Sequence, residues 1–225
     1  MSAPLRVLIV GYGRMGRLVA ALAPEYGFDV AGTVTRSNAG EPETWPSADV
    51  AIDFSTAKAT PAHARALAAR GVSVVIGTTG WQAEESALRT ELAAAGAGVI
   101  SAPNFAVGVN IFIAIAERSA QLLAARGFAS WIHEAHHAAK KDAPSGTALA
   151  LQRVLEHAGA SPSVSSTRAG YIPGTHTVGF DSPAETLAFT HTARDRTPFA
   201  RGALEAAKWI HGRRGWYGMR DLLSL

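Results

Sequence analysis

The sequence contains no cysteine among its 225 residues. That absence excludes disulfide scaffolds, cysteine-ligated zinc sites, iron–sulfur clusters and a thiol nucleophile. No uninterrupted run of about 18 apolar residues is present either, so the sequence does not predict a membrane-spanning chain. With 48% hydrophobic and 17% charged residues, the composition also differs from that of a disordered chain. We therefore expect a soluble globular protein with a buried core.

An excess of charge of one sign is also lacking. Lys and Arg number 21 against 18 Asp and Glu, a net charge of +3, and the basic residues form no run of about five or six. This weak, dispersed bias argues against a nucleic-acid partner and favours small anionic ligands. The first residues lack the basic segment and long apolar segment of a secretion signal. The sequence thus predicts a cytoplasmic protein without a nucleic-acid or membrane partner.

Short apolar runs alternate with alanine-rich stretches over the first hundred residues. The run LRVLIV at 5–10 ends at a glycine, as buried strands of parallel sheets do. Further strands are predicted at 29–34, 50–54, 72–76 and 98–100, with helices at 14–24, 57–69 and 82–95. Parallel strands need crossovers of about a dozen residues. The pattern therefore predicts an α/β fold with a Rossmann-like, doubly wound parallel sheet.

The pattern changes after Asn104, and the remaining elements predict a second, smaller α+β domain. An apolar stretch at 107–123 is followed by residues 131–137, a helix at 145–157, loop-rich sequence, and two strands at 175–180 and 185–193 that form a hairpin. A last helix at 198–211 would return the chain to the first domain. We predict a dinucleotide-binding domain of residues 1–105 plus 199–225 and a second domain of residues 106–198.

A G-x-G-x-x-G pattern, Gly11-Tyr12-Gly13-Arg14-Met15-Gly16, follows the first predicted strand and opens a helix. Gly11 permits the tight turn, Gly13 lets the backbone approach a pyrophosphate, and Gly16 permits close packing of helix on strand. The free N–H groups of the helix start would bind the anion. The alternative is a glycine turn without a ligand.

The tip of the second strand bears on which nicotinamide cofactor binds. The dinucleotide pattern expects an acidic residue about 20 positions on, to hold the ribose hydroxyls. Thr35 stands there instead, followed by Arg36, whose planar fork suits a phosphate, and by Ser37, whose hydroxyl adds a donor. This favours NADPH over NADH. The alternative is that Arg36 is only a solvated loop residue.

Two further loops follow predicted strands at their carboxyl ends, where open α/β sheets bind ligands. Their residues are small or hydrogen-bonding: Gly77, Thr78, Thr79 and Gly80 in one, and Ala102, Pro103, Asn104 and Phe105 in the other. These loops would contact the nicotinamide side of the cofactor. Read alone, each is also compatible with an ordinary turn.

Residues 134–148, EAHHAAKKDAPSGTA, concentrate titratable groups directly before a predicted helix. Ser145 is a candidate N-cap, so the amides of Gly146 and Thr147 would form a site for a carboxylate or phosphate. His136 and Lys140 would supply acid and base beside that anion. The alternative is a surface cluster of His and Lys without a task.

Two further features of this region are a possible metal site and Arg168. A zinc site at Glu134, His136 and His137 is disfavoured, because adjacent strand residues point to opposite faces and neither cysteine nor an H-E-x-x-H spacing is present; no metal is predicted. Arg168 either anchors a second anion or braces its own loop.

Taken together, these motifs resemble the dihydrodipicolinate reductase family over nearly the whole chain. The resemblance rests on GYGRMG (11–16), IDFS (52–55), GTTG (77–80), APNFAVGVN (102–110), EAHHAAKKDAPSGTA (134–148) and GMRDLL (218–223). It implies hydride transfer from NAD(P)H to a cyclic dicarboxylate, with loss of a hydroxyl as water, giving tetrahydrodipicolinate in the diaminopimelate route to lysine.

The resemblance also implies residue roles. His136 would be the proton donor and acceptor, Lys140 a proton donor, His137 a substrate contact, and Gly146 and Thr147 the carboxylate site. The cofactor would lie on 11–16, at the end of the second strand, on 77–79 and on 102–105. Family members are typically homotetramers joined through the second domain, which would thus serve substrate binding and oligomerisation.

Two departures from the family limit what carries over. The segment 37–48 is compressed, so contacts made from there in relatives are not transferred, and no acid stands at Thr35. Relatives accept both cofactors, so NADPH is the predicted preference and NADH remains open. Rival hypotheses are an NADP(H)-dependent reductase of another imine or aldehyde acid, and a non-catalytic redox sensor.

Overall fold

The computed structural model describes residues 3–225 and divides them into two compact units. The first contains the described residues up to Val107 together with Thr197–Leu225, and the second is Gly108–Arg196. In chain order, the strands and α-helices are β1 Leu5–Val10, α1 Arg14–Leu22, β2 Phe28–Val34, β3 Val50–Asp53, α2 Thr60–Ala69, β4 Ser73–Ile76, α3 Glu85–Ala94, β5 Gly98–Ser101, α4 Val107–Leu123, β6 Ala129–His136, α5 Gly146–His157, β7 Ser163–Arg168, β8 Gly174–Asp181, β9 Thr186–Ala193, α6 Thr197–Ile210, β10 Gly215–Tyr217 and α7 Met219–Leu223.

The first unit is built on a six-stranded parallel sheet with strand order β10-β5-β4-β3-β1-β2. Strands β3 and β4 are buried along their whole length, because helices cover both faces of the sheet. This burial explains why their sequences are apolar except for Asp53 and Ser73. Residues of α1 and α6 belong to one apolar cluster, and residues of α2 and α3 to the other. The predicted Rossmann-like fold is confirmed.

Helix α6 packs on its sheet through small residues. Ala203, Ala206, Ala207 and Ile210 are fully buried. A Cβ atom on Gly202 would lie only 1.7 Å from the carbonyl oxygen of Phe105. Small side chains at helical spacing therefore let this helix approach the loop that follows β5.

The second unit has a four-stranded mixed sheet with strand order β7-β6-β8-β9. Strand β6 pairs with β7 in parallel and with β8 antiparallel, and β8 and β9 form the predicted hairpin. Residues of α4 and α5 pack with one face of this sheet in a cluster that includes Phe112, Ile132, Leu151 and Phe180. The predicted α+β character of this part of the chain is confirmed.

Several sequence-based boundaries and assignments were wrong. β7 was expected to be loop, because its sequence SVSSTR is mostly polar; none of its residues is buried. β10 and α7, of three and five residues, were not predicted, since pairing with β5 and not local sequence defines β10. Helix α2 begins at Thr60 and not at Ala57, because residues 57–59 form a turn.

One helical segment among the described residues, Val107–Arg126, is long and apolar enough to cross a membrane. A single such helix is weak support for a span, because a core helix meets the same criteria. Here Val109, Phe112, Ala116 and Ala120 form a buried stripe of α4.

Candidate active site

The glycine turn between β1 and α1 has the geometry that its pattern predicts. Gly11 has a φ of +87°, and a Cβ atom there would lie 2.5 Å from the carbonyl oxygen of Phe54. A Cβ atom on Gly16 would lie 2.0 Å from the carbonyl oxygen of Gly11. Gly13 is the N-cap of α1, and no side chain caps the helix. Both close approaches require glycine, and the first amides of α1 remain available for an anion.

A cavity of about 500 Å³ lies beside this turn. Among the predicted cofactor residues, Gly11, Tyr12, Gly13 and Arg36 line it, and Arg17, which the sequence did not single out, adds a second cation. The other lining residues are Val34, Thr35, Ala39, Phe54, Ser55, Thr56, Ala59 and His63. Arg14, Met15 and Gly16 do not line the cavity, and Met15 packs against the core. Its volume and cationic lining fit the phosphate-bearing part of a dinucleotide.

A buried carboxylate ties the loops around this cavity together. Asp53, at the end of β3, is 1% exposed. It accepts hydrogen bonds from the Ser55 amide (2.7 Å), the Thr78 hydroxyl (2.9 Å) and Nδ1 of His63 (3.2 Å). Sequence reasoning quoted Asp53 only as part of a motif and regarded His63 as a packed or surface residue. The side-chain partners of Asp53, which are His63 and Thr78, lie 10 and 25 positions away, so local sequence gave no signal for these contacts.

The two other predicted cofactor loops follow β4 and β5. Thr78 is held by Asp53, and its carbonyl accepts the indole N–H of Trp81 (2.8 Å). A Cβ atom on Gly77 would lie 2.1 Å from the Phe54 ring. Asn104 accepts the Ala106 amide (2.9 Å). Gly77, Thr78, Thr79, Ala102, Pro103, Asn104 and Phe105 do not line the 500 Å³ cavity. Phe105 as a whole is 1% exposed, so it offers a ligand almost no surface in this structure.

The predicted acid–base segment of the second unit is built around Glu134, whose side chain is fully buried. Arg168 binds it with both terminal nitrogens, Nη1 to Oε2 at 2.9 Å and Nη2 to Oε1 at 2.6 Å. Oε1 also accepts the Ser145 amide (3.2 Å), and Oε2 accepts Nδ1 of His136. Burial raises the pKa of Glu134, but hydrogen bonds from Arg168, then from Ser166 and His136, outweigh burial and lower this pKa to about 2.

His136 is therefore oriented by an acceptor that stays ionised. Because the Glu134 carboxylate cannot donate, Nδ1 of His136 carries the hydrogen, and Nε2 is left for proton exchange. A Cβ atom on Gly174 would lie 3.0 Å from this Nε2. Burial, and then the charges of Lys140 and Arg168, lower the pKa of His136 below its usual value, against the opposing effect of Glu134.

Helix α5 begins as the sequence predicts. Ser145 is its N-cap, and its hydroxyl accepts the Ala148 amide (3.2 Å). A Cβ atom on Gly146 would meet no atom within 4 Å, so space is open at the first turn. The amides of Gly146 and Thr147 thus suit a carboxylate.

His176 is a site residue that the sequence reasoning missed. It is 5% exposed, shares a hydrogen bond with the Ser145 hydroxyl (2.9 Å), and lies edge-on to His136 at 5.1 Å. Burial lowers its pKa to about 4, with a smaller contribution from His136. Its alternation with Val178 and Phe180 in β8 was an available signal for an inward-facing side chain.

The remaining predicted residues lie in the loop after β6. Lys140 pairs with both carboxylate oxygens of Asp142 (2.7 and 2.8 Å), and His137 is exposed. Arg168 also donates to the carbonyl of Asp142 (2.5 Å). Arg168 thus binds the Glu134 carboxylate of this chain and also braces this loop.

Metal-ligating atoms of Glu134, His136 and His176 lie within 4.8 Å of one another. Both oxygens of Glu134 already accept from Arg168, and Nε2 of His176 is bonded to Ser145. A guanidinium in direct contact with the carboxylate opposes a cation there. His133 bonds to Ser165 (2.9 Å) and is not in this group.

The first unit combines a parallel sheet with a glycine turn at a helix start. In the second unit a buried carboxylate joins a histidine to the start of a helix. The chain is a nicotinamide dinucleotide-dependent oxidoreductase of the Rossmann type.

Comparison with known proteins gives the family. Residues 5–105 match the model described as dihydrodipicolinate reductase, N-terminus, and residues 108–223 match its C-terminus. The chain is 41% identical over 247 aligned positions to the 4-hydroxy-tetrahydrodipicolinate reductase of Acidiphilium cryptum, covering 100% of this chain and 99% of the relative. That of Stenotrophomonas maltophilia strain K279a is 41% identical, with 98% of each chain covered. The chain belongs to the dihydrodipicolinate reductase family, as its motifs predicted.

Solved structures support the fold. The dipicolinate-bound dihydrodipicolinate reductase of Paenisporosarcina sp. TG-14 superposes with a TM-score of 0.78 at 22% identity, covering 97% of this chain and 99% of that one. An engineered D-amino acid dehydrogenase bound to NADP+ gives a TM-score of 0.51 at 15% identity, covering 98% and 96%.

Proposed function

We propose that this chain reduces 4-hydroxy-tetrahydrodipicolinate to tetrahydrodipicolinate with NAD(P)H, releasing water, in the diaminopimelate route to lysine. Full-length relatives named for this activity support the assignment. The structural observation that carries it is the Glu134 carboxylate, which joins His136 to the start of α5. One buried group thus holds both a proton-exchanging imidazole and an anion-binding turn.

The substrate is a cyclic dicarboxylate, and the second unit supplies groups that match it. The amides of Gly146 and Thr147 bind one carboxylate at the start of α5, and His137 contacts the substrate. A relative of the same fold is described with dipicolinate, an aromatic cyclic dicarboxylate, bound. Anion binding at a helix start needs no further cation, because the free amides and the helix dipole act together.

The proton chemistry falls to His136 and Lys140. The nicotinamide supplies the hydride, so the protein must stabilise the negative charge that hydride brings and deliver one proton. The ammonium of Lys140 is the proton donor, and Nε2 of His136 accepts or returns a proton. Glu134 keeps the imidazole in one orientation throughout.

The first unit binds the cofactor, with NADPH preferred and NADH accepted less well. Arg36 lines the cavity and carries a guanidinium suited to a 2′-phosphate. The residues proposed to contact the dinucleotide are Gly11, Tyr12, Gly13, Arg14, Met15, Gly16, Arg36, Gly77, Thr78, Thr79, Ala102, Pro103, Asn104 and Phe105. No metal takes part in the proposed reaction.

The test couples pyruvate and aspartate semialdehyde through the preceding synthase and follows NADPH oxidation after this protein is added. Wild-type protein should show synthase-dependent oxidation. His136→Ala should lower kcat about 10²- to 10⁴-fold, because general acid–base catalysis typically contributes that much. The exposed His211 provides the control: His211→Ala should match wild type.

Two outcomes count against the proposal. If protein shown to bind NADPH oxidises none of it, the chain is a reductase of another imine or aldehyde acid, or a redox sensor. If His136→Ala retains activity within about twofold, His136 is not the acid–base group.

We also propose that the chain acts in the cytoplasm as a homotetramer, without a nucleic-acid or membrane partner, as the family resemblance implies. Light scattering on the purified protein measures its mass directly, and a monomer would contradict the tetramer.

A further inference from the structure

We propose that Trp45 positions the turn that carries Arg36 and thereby sets the discrimination between NADPH and NADH. This inference rests on the proposed function, in which Arg36 binds the 2′-phosphate. It concerns the compressed segment 37–48, to which no contact was carried over from the family.

Arg36 stands at the apex of a closed turn, Thr35–Asn38. The Asn38 amide donates to the Thr35 carbonyl (3.3 Å), and the Asn38 side chain accepts the Thr35 amide (2.8 Å) and donates to the Thr33 carbonyl (3.3 Å). The hydroxyls of Thr35 and Ser37 share a hydrogen bond (2.8 Å). Asn38 therefore fixes the backbone on both sides of Arg36, whose side chain is exposed and lines the cavity.

Trp45 connects this turn to the core. Its side chain is buried in the apolar cluster that also contains Val34 of β2, and its indole N–H donates to the Asn38 carbonyl (2.8 Å). The Trp45 ring meets His63 edge-on at 5.7 Å, and His63 is bonded to Asp53. Trp45 and His63 thus join this surface turn to the carboxylate that holds the cofactor loops.

The backbone around Trp45 is fixed as well. Arg70, which follows α2, donates to the carbonyls of Pro42 (3.0 Å), Trp45 (2.7 Å) and Pro46 (3.1 Å). The guanidinium holds three carbonyls of one short segment, so the indole approaches Asn38 from a fixed direction. The segment 37–48 is therefore an ordered brace for Arg36.

This order matters for binding because a mobile arginine must lose conformational freedom when it contacts a phosphate. Removal of the indole N–H leaves the Asn38 carbonyl with one backbone donor, the Glu41 amide (3.2 Å). A looser turn should weaken NADPH binding about three- to tenfold, the range given by loss of one hydrogen bond. NADH lacks the 2′-phosphate, so its Kd should change less than about twofold.

The experiment measures the Kd of NADPH and of NADH by isothermal titration calorimetry for wild type, Trp45→Phe, Arg36→Ala and Trp81→Phe. Trp81 is the matched control, because it is also 3% exposed and donates its indole N–H at 2.8 Å to a loop carbonyl, that of Thr78. Trp81→Phe should leave the ratio of the two Kd values unchanged. Trp45→Phe and Arg36→Ala should both lower the preference for NADPH.

Each result decides between named alternatives. If wild type and Arg36→Ala bind both cofactors alike, the proposed NADPH preference is wrong and this inference falls with it. If Arg36→Ala loses the preference for NADPH and Trp45→Phe keeps it, only the positioning role of Trp45 is refuted. That role is also refuted if Trp45→Phe weakens the binding of NADPH and of NADH equally. If Trp45→Phe does not fold, Arg70→Gln replaces it, because Arg70 is exposed and its loss releases the carbonyls that hold the backbone around Trp45. The same change in ratio is expected.

Discussion

Replacement of Arg168 by methionine would leave the buried Glu134 carboxylate without its cation. Removal of one partner from a buried ion pair costs about 3 to 5 kcal/mol, because the remaining charge is uncompensated. Glu134 is fully buried, whereas the Arg168 side chain is 17% exposed. Glu134 would still hold the Ser145 amide and His136, so we expect a loss of unfolding free energy near the lower limit, about 3 kcal/mol.

A double-mutant cycle separates this charge effect from lost packing. In Glu134→Gln, Arg168 keeps the carbonyls of Thr167 and Asp142 as acceptors, and we expect a smaller loss of about 1 to 2 kcal/mol. The double variant contains neither charge. Its loss should therefore be smaller than the sum of the single losses by about 2 kcal/mol.

Urea denaturation at pH 7, followed by circular dichroism, measures the four free energies of unfolding. The reasoning would be refuted if the losses added to within about 0.5 kcal/mol, the value typical of independent sites. Arg168 would then act by its packing alone.

Two further results are expected. The pKa of Glu134 is lowered from 4.5 to about 2, so its ionisation stabilises the fold above about pH 4.5, and that stabilisation is lost as the pH falls towards 2. In acid unfolding titrations over this range, wild type should lose about 3 kcal/mol more unfolding free energy than Glu134→Gln. Parallel curves for the two proteins would contradict this. Ser145→Ala removes the N-cap bond of α5 and should lower the unfolding free energy measured by thermal denaturation by about 1 kcal/mol. It should also raise KM more than it lowers kcat. An unchanged KM would show that this turn does not bind the substrate.

The sheet of the first unit could be predicted because the apolar sequences of its strands reflect their burial. β1, β3 and β4 lie between two helical layers, so their sequences are short and mostly apolar, with one polar or charged residue in each. β7 is different, since it pairs only with β6 and most of its residues face outward. An exposed edge strand has a sequence like that of a loop, and only its partner defines it.

In the candidate site, too, the features with local causes could be predicted from the sequence, and those with non-local causes could not. Ser145 and the two amides after it were predictable, because an N-cap and its first turn are adjacent in sequence. The register of the sheet assembles the rest, pairing Glu134 with His176 and His136 with Arg168. Asp53 and His63 meet only because α2 brings them together. The chemistry of these residues was visible in the sequence, but their partners were not.

The first unit is made of two separate stretches of sequence, which sets an order of events while the ribosome makes the chain. When residue 107 has been made, β5 has β4 on one side and an open edge on the other, because β10 and the covering helix α6 both follow residue 196. Open edges and uncovered apolar faces favour aggregation of nascent chains. All strands of the second sheet lie between 129 and 193, so that sheet is complete in sequence before the first. The cofactor-binding unit is therefore the last to be finished, and a synthesis arrest before residue 197 leaves it in its most vulnerable form.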